Sequence, residues 1–471
     1  MKRFKRIIDL SFLVFKQTFV HFNLIFFVFF SENYAHKQIL KLRGSLHLKQ
    51  FILNYFIKKF KEYPYFYWER YKLEKQLGKH NYNDYLSTYS KKRKEWLKKN
   101  LNKLHDTDFV EELVVTGSFG NIYYLYIYLL ANLHKLKKQR KTLIYYKNKI
   151  TNKALFEYFK DHLTIIKDLK IISDDELIVH KLSSHLGSAQ EINETFLTPA
   201  AATNIILRKN NEQPIKLFSL TDQHKTEGEK FLKYFGLKTN NWFVTLHVRE
   251  NTYRLFESTE KFRNASISDY LPAIRKINEA GGFVFRVGHS GMKPIPKIDG
   301  VYDYANSKKK TELLDVFLGA SSKFCIATSS GFYIIPSIFS VPVLMTNCPQ
   351  HSVFFELNHF DLYLPRLFKT INTDEFIKLP KMFQNSYNSL FSDKMYTKKN
   401  LKVIKNSKDE IELATKEMMN NLDNSTKKKP YTNLQNKVNN LIEIEQNKNG
   451  ENLVPISKIS NSFLEKYKKL I

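Results

Sequence analysis

Between Trp242 and Thr346 short apolar runs alternate with amphipathic stretches, and this alternation restricts the chain to an α/β layer structure. WFVTLHV, FVFRVG, GVYDYA, KFCIATS and VPVLMT each have strand length and are rich in apolar, β-branched or aromatic residues. ISDYLPAIRKINEA, TELLDVFLGA and the residues from Gly331 onward carry helical spacing between them. Strands that recur after intervening helices pair in parallel, so a doubly wound sheet is predicted, with any ligand at the carboxyl ends of its strands.

A weaker alternation precedes it. Leu113, Val114 and Val115 form an apolar run, the stretch Gly117, Ser118, Phe119, Gly120, Asn121 makes a turn, and a long apolar helix follows. This is the opening unit of a Rossmann-like half. TLIYY, LKIIS and ELIVH continue it, up to a polar stretch around NNEQP. The expected architecture is therefore α/β, with two Rossmann-like doubly wound domains facing a cleft in the GT-B manner, over residues 109–235 and residues 236–385. A helical, basic preface over 31–108 precedes them, and a polar tail rich in Lys and Asn, helical or disordered, follows over 386–471.

Hydrophobic residues make up 43% of the chain and aromatics 14%, which is too rich for wholesale disorder. The formal charge of +29 points to anionic partners, or to the codon bias that also makes Lys, Asn and Ile frequent. Cys325 and Cys348 are too few for a disulfide framework or a Cys-rich zinc site, and fit a reducing cytoplasmic compartment. Residues 1–30 begin with Lys2, Arg3, Lys5 and Arg6 and are Phe-rich, but Asp9, Lys16, His21 and Asn23 interrupt the run. Two readings stand for this stretch: a basic apolar helix lying peripherally on the anionic inner face of the cytoplasmic membrane, or an ordinary packed helix.

Polar residues with chemical capacity gather at the predicted strand ends. His247 and Arg249 are two apart on one strand and share a face; Arg249 offers a planar fork for a phosphate, and His247 a base or a hydrogen bond. Glu250 follows directly. Ser329, Ser330 and Gly331 start a helix after a strand, a place suited to a diphosphate, although a serine there also serves as an ordinary cap. Arg286, Gly288 and His289 end the FVFRVG strand, and Asp303 lies between two tyrosines, either accepting a sugar hydroxyl or forming a turn. Glu312 and Asp315 share a helix face, and Gly117, Gly120 and Asn121 are placed to approach an acceptor or phosphate. The pair Asp106 and Asp108 has metal-binding spacing but precedes the first predicted strand, so no metal site is expected.

Taken in order, L-H-V-R (246–249), R-N-A-S-I (263–267), G-G-x-V-x-R-x-G (281–288), Met292 with Pro294, G-V-x-D-Y-A (300–305), D-V-F-L-x-A (315–320) and S-G with V-P downstream resemble a bacterial glycosyltransferase family linked to surface polysaccharide synthesis. The likeness spans about residues 205–350. The H-x-R element is similar to that of GT-B fucosyltransferases, and the serine-glycine and V-P portion to heptosyltransferases and UDP-sugar 2-epimerases. Two departures stand out: E-N-T-Y follows the arginine where Pro and Gly would follow the Glu, and His289 stands where an acid is expected.

The resemblance implies that Arg249, with Ser329, Ser330 and Gly331, holds the donor diphosphate, while His247 or Asp303 assists the acceptor. The expected activity is metal-independent transfer of a sugar from a nucleotide-diphosphate donor to a hydroxyl of a surface or lipid-linked glycan. The nucleotide sugar is a co-substrate, no cofactor is required, and nucleic acid is not an expected partner. Two other readings stay open: a nucleotide-sugar epimerase or hydrolase using the same diphosphate site, and a noncatalytic basic protein that binds membrane or nucleic acid.

Overall fold

The computed structural model describes residues 46–77, 82–100, 107–110, 119–134, 141–145, 150–166, 190–192, 195–197, 199–210, 215–238, 240–250, 258–348, 358–388, 390, 392–423, 430–448 and 458–471. The segment 1–30 read as membrane-associating therefore lies outside the described residues, as do Gly117 and the predicted strands at 113–115, 169–173 and 176–180. The described residues fall into two compact units.

The first unit is mainly helical: α1 (Leu46–Lys59), α2 (Pro64–Gln76) and α3 (Tyr82–Asn100). Pro64 suits the first turn of α2, where a backbone N–H has no helical partner. The core is aromatic, with Phe56, Tyr63, Tyr65, Phe66, Trp68 and Tyr89 buried and the Trp68 and Tyr71 rings stacked at 5.2 Å. Arg70 and Glu74 are buried within it as an ion pair at 2.6 Å, completed by Gln50, whose carbonyl accepts from Arg70 and whose amide donates to Glu74.

The second unit holds the two larger sheets. The smaller has β1 (Thr107–Val110), β2 (Lys141–Tyr145) and β3 (Thr164–Ile166) in the order β1-β2-β3, with β2 and β3 parallel. Thr107–Val110 was not expected as a strand, so Asp108 lies within a strand instead of before one. Helix α4 (Phe119–Leu133) is buried at Ile122, Tyr123 and every residue from Leu125 to Ala131, so it is apolar all round because it is covered all round. It packs against α5 (Pro199–Lys209) and, on the other sheet's side, against the helix that follows the serine-glycine turn.

The larger sheet begins after α6 (Asp222–Tyr234), which Thr221 caps through the His224 N–H. Its strands are β4 (Phe243–His247), β5 (Phe283–Arg286), β6 (Val301–Tyr302), β7 (Phe324–Thr328), β8 (Val343–Cys348) and β9 (Leu362–Pro365). Helix α7 (Leu271–Glu279) joins β4 to β5, α8 (Glu312–Ser321) joins β6 to β7, and the short α9 (Ile334–Ile338) joins β7 to β8. All five strands predicted in this region form, and every pairing in the sheet is parallel.

The Lys- and Asn-rich residues after 385, expected as a helical or disordered tail, form both helices and short strands where described, and they pack. β10 (Leu367–Thr370) pairs antiparallel with β11 (Leu401–Ile404), which follows α10 (Asp393–Lys398). α11 (Lys408–Asp423) buries Ile411, Ala414 and Met418 and packs on α7; α12 (Asn433–Lys448) leads to β12 (Lys458–Ile459), the seventh strand of the sheet, and α13 (Asn461–Lys466) closes the fold. The apolar residues of α11 are few but recur at i, i+3 and i+7, and that spacing alone gives a helix a buried face. The sheet order is β12-β9-β8-β7-β4-β5-β6. The chain builds outward from β4 to β6, then returns to the other side of β4 to place β7. The order reverses between β4 and β7, and a crevice opens at such a point beyond the carboxyl ends of the strands.

Candidate functional site

Every residue of β4 is buried, and the strand delivers His247 and Arg249 to its carboxyl end beside β7, with His247 in register with Ala327. The Arg249 backbone N–H donates to the Thr328 hydroxyl at 2.8 Å. That bond fixes the first residues beyond each strand on the two sides of the switch point. A hydroxyl supplies it because the parallel ladder ends here and a buried N–H needs a partner.

The Arg249 side chain turns to the segment 258–266. Its guanidinium donates to the Glu260 carbonyl at 3.1 Å and to the Glu260 carboxylate at 3.2 Å. Arg263 donates to the same carboxylate oxygen at 2.6 Å and reaches the Ser329 carbonyl through two nitrogens, at 3.0 and 2.7 Å. Five further contacts stake the backbone of this segment. Asp393 accepts from the Lys261 and Phe262 N–H groups, the Arg249 carbonyl accepts from the Ala265 N–H, and Arg366 donates to the Phe262 and Asn264 carbonyls. Arg366 is 1% exposed and also donates to Asn347, so these three partners are neutral, and burial pushes its pKa down to about 10.

Ser329 is buried, with a hydroxyl that has no hydrogen-bond partner among the described residues. Ser330 occupies the N-cap position of the next turn without donating or accepting a side-chain cap bond. Neither serine therefore works as an ordinary cap. The helix itself is shorter than the sequence suggests: one 3-10 turn, Gly331–Tyr333, then five residues of α9 containing Pro336. So short a helix has a weak dipole, and the capacity to hold an anion shifts to the two arginines and the serine hydroxyl. A Cβ on Gly331 would sit 2.7 Å from the Gly120 backbone nitrogen, so the serine-glycine turn and the start of α4 are in close contact, and that is where Gly120 and Asn121 belong.

The His247 ring lies parallel to Phe332, with centroids 5.8 Å apart and planes 6° from parallel. Burial, then the positive charge of Arg286 and the nearby His289, lowers its pKa to about 3, so the imidazole is neutral across the physiological range. Its Nδ1 is buried with no hydrogen-bond partner among the described residues. A group so hard to protonate is a weak proton acceptor and an effective neutral hydrogen-bonding group.

Arg286 is fully buried at the end of β5 and joins the two acids that the sequence brings forward. It donates to Glu250 at 3.2 Å, to Asp303 at 2.8 Å and to the Lys293 carbonyl. Glu250 in turn accepts from the Lys293 N–H, and Asp303 from Asn306 and the Ile295 N–H. Asp303 is thus a holding group in this structure, anchoring the loop between β5 and β6. Gly288 opens that loop with φ +149°, where a Cβ would collide with the Met292 sulfur. Glu312 accepts from the Lys153 N–H at 2.7 Å and Asp315 pairs with Lys310, so both acids of α8 have structural partners. No group of three or more potential metal ligands occurs among the described residues.

Of the residues singled out in sequence, His247, Arg249, Ser329, Ser330 and Gly331 come together at the switch point, with Gly120 against them. Arg286, Glu250 and Asp303 form a neighbouring ion-pair network. Glu260, Arg263, Arg366 and Asp393 were missed as site residues. Arg263 had a signal, the R-N-A-S-I run; the bonds of Asp393 and Arg366 to residues 261–264 span 102 to 132 residues of sequence.

No family model matches this chain, and no curated protein matches its sequence. Several solved structures resemble part of this chain. The Escherichia coli ADP-heptose lipopolysaccharide heptosyltransferase II is 11% identical, with 55% of this chain and 90% of that chain covered and a TM-score of 0.36. A family 9 glycosyl transferase from Veillonella parvula is 9% identical, covering 55% and 85%, with a TM-score of 0.34. The dodecameric iron-containing heptosyltransferase TibC, solved with ADP-D-beta-D-heptose, is 10% identical over 55% and 60%, with a TM-score of 0.31. At these values the functional reading rests on the site's own geometry.

Proposed function

We propose that this protein transfers a glycosyl group from a nucleotide-diphosphate donor to a hydroxyl of a glycan or lipid-linked glycan. The observation that carries the reading is the convergence of two guanidinium groups, Arg249 and Arg263, beside the unpartnered Ser329 hydroxyl at the carboxyl edge of the β4–β7 switch point. In glycosyl transfer the bond from the anomeric carbon to the diphosphate oxygen breaks while a bond to the acceptor oxygen forms. The departing diphosphate gains charge, and cations held in place stabilise it. Arg249 and Arg263 take that part, Ser329 donates a hydrogen bond to a phosphate oxygen, and neutral His247 offers its Nδ1 to the donor or acceptor.

Metal independence belongs to the same proposal, since the two arginines supply charge that a divalent ion would otherwise bring. The test is a thermal-shift panel of nucleoside diphosphates and nucleotide sugars, because a ligand bound only by the native state raises apparent stability. A hit is then carried into a transfer assay with and without chelator. Release of sugar from the donor alone would instead favour an epimerase or hydrolase, and no shift across the panel would sink the diphosphate site.

Peripheral attachment to an anionic membrane is the second part of the proposal, supported by α1. Leu48, Phe51 and Tyr55 are exposed at i, i+3 and i+7 along one stripe, with Lys58 and Lys59 in the last turn. An apolar stripe ending in cations suits the headgroup region of a bilayer. No described helix is long and apolar enough to cross a membrane.

A further inference from the structure

We propose that Glu260 is an internal competitor for the anion site, its carboxylate standing between Arg249 and Arg263 where a ligand phosphate binds. The inference rests on the diphosphate reading above and adds how that site is regulated. One carboxylate oxygen of Glu260 receives both guanidinium groups, from Arg263 at 2.6 Å and from Arg249 at 3.2 Å. The three side chains keep 26%, 19% and 29% of their surface for Arg263, Arg249 and Glu260, so a dissolved anion can reach them. The neighbouring Arg366, at 1% exposure, has no such access.

The carboxylate is separable from the fold. Asp393, Arg366 and the Arg249 carbonyl hold the backbone of residues 261–265, and none of those bonds involves the Glu260 side chain. Arg263 stays oriented through its two bonds to the Ser329 carbonyl, which lie on a different part of its guanidinium. Removing the Glu260 charge therefore leaves both arginines in place and leaves them less well satisfied.

The chemistry favours exchange for a diphosphate. Two planar forks share a single oxygen of a monoanion, whereas a diphosphate offers each fork its own pair of oxygens and more charge. Such a carboxylate lowers the affinity for every anion that must displace it by one common factor, set by the fraction of molecules in which the arginine pair stands open, and so leaves the weakest anions too weak to fill the site. The site is thereby kept from filling with single phosphates.

The test is calorimetric titration of the full chain with inorganic pyrophosphate and with ADP, GDP, UDP and CDP, comparing wild type with Glu260→Gln and Glu260→Ala. Both variants should bind pyrophosphate and the accepted nucleotide about 3- to 10-fold more tightly. Inorganic phosphate should gain by a similar factor, because one competitor is removed for every anion. If wild type binds a diphosphate and both variants bind it equally or more weakly while melting within a few degrees of wild type, Glu260 positions the arginines and the competitor proposal is overturned alone. If neither wild type nor variants bind any of these anions, the proposed function and this inference fall together.

Discussion

Arg249 donates its backbone N–H to the hydroxyl of Thr328 at 2.8 Å, and this bond ties the ends of two strands that are 79 residues apart in sequence. It places a guanidinium from one crossover beside a serine turn from the next, which is the arrangement a diphosphate site needs. Thr328→Val keeps the shape and removes the acceptor. The expected cost is about 1–3 kcal/mol of stability from the buried N–H left unpaired, read by urea denaturation, with weaker nucleoside diphosphate binding in the same preparation.

Arg249 itself separates charge from geometry. Arg249→Ala and Arg249→Lys should both weaken nucleoside diphosphate binding, the first by roughly 100-fold and the second by about 10-fold or more, because lysine keeps the charge and loses the fork. Calorimetry decides it; wild-type affinity in the alanine variant would remove Arg249 from the site.

Ser329 and Gly331 should respond in opposite ways. Ser329→Ala deletes a buried hydroxyl that has no partner among the described residues, so its melting temperature should hold or rise while nucleotide affinity drops. Gly331→Ala drives a methyl group against the Gly120 backbone nitrogen, where nothing flexible can give way, and should cost about 1–3 kcal/mol. Thermal melts of the two variants with and without nucleotide make the comparison.

His247 makes stability depend on pH. Its pKa is near 3 when folded and close to the ordinary histidine value of 6.5 when unfolded, so the unfolded chain binds the proton first. The stability this neutral histidine permits is fully present above pH 6.5 and is lost as pH falls toward 3, at a slope of up to about 1 kcal/mol per pH unit. His247→Asn should flatten the decline in melting temperature between neutral and mildly acid pH. In the wild type, transfer should show no inflection near neutrality that tracks this residue.

For α1, replacing Leu48 and Phe51 with serine should lower co-sedimentation with vesicles rich in anionic lipid and leave the melting temperature near wild type, because both residues are exposed. A fluorophore on Phe51→Cys tests it directly, since Cys325 and Cys348 are buried and poorly placed to react. An unchanged emission spectrum on adding anionic vesicles would remove α1 from any membrane contact.

Local pattern was enough to reveal the larger sheet. WFVTLHV, FVFRVG, KFCIATS and VPVLMT are strands because their residue types fit a buried pleated surface, and parallel because helices separate them. That same pattern placed His247, Arg249 and Ser329 at one edge, since residues at the carboxyl ends of parallel strands share that edge whatever the order of the strands. Two of that sheet's seven strands, Leu362–Pro365 and Lys458–Ile459, escaped notice; the second has only two residues, which carry no periodicity, and its place in the sheet is set by pairing with β9.

What sequence by itself determined is which elements exist and which chemical groups stand at their ends. What only the tertiary structure decided is which of those groups are occupied and by whom. Asp303 reads as an available acid until Arg286 is seen to hold it, and His247 reads as a base until burial beside that arginine makes it hard to protonate. Glu260, Arg366 and Asp393 become part of the site only through contacts spanning between 11 and 132 residues. The physical reason is that hydrogen bonds, ion pairs and desolvation depend on distances set by packing. A strand's residue pattern fixes its faces and its direction, and it carries no record of what will be folded against its end.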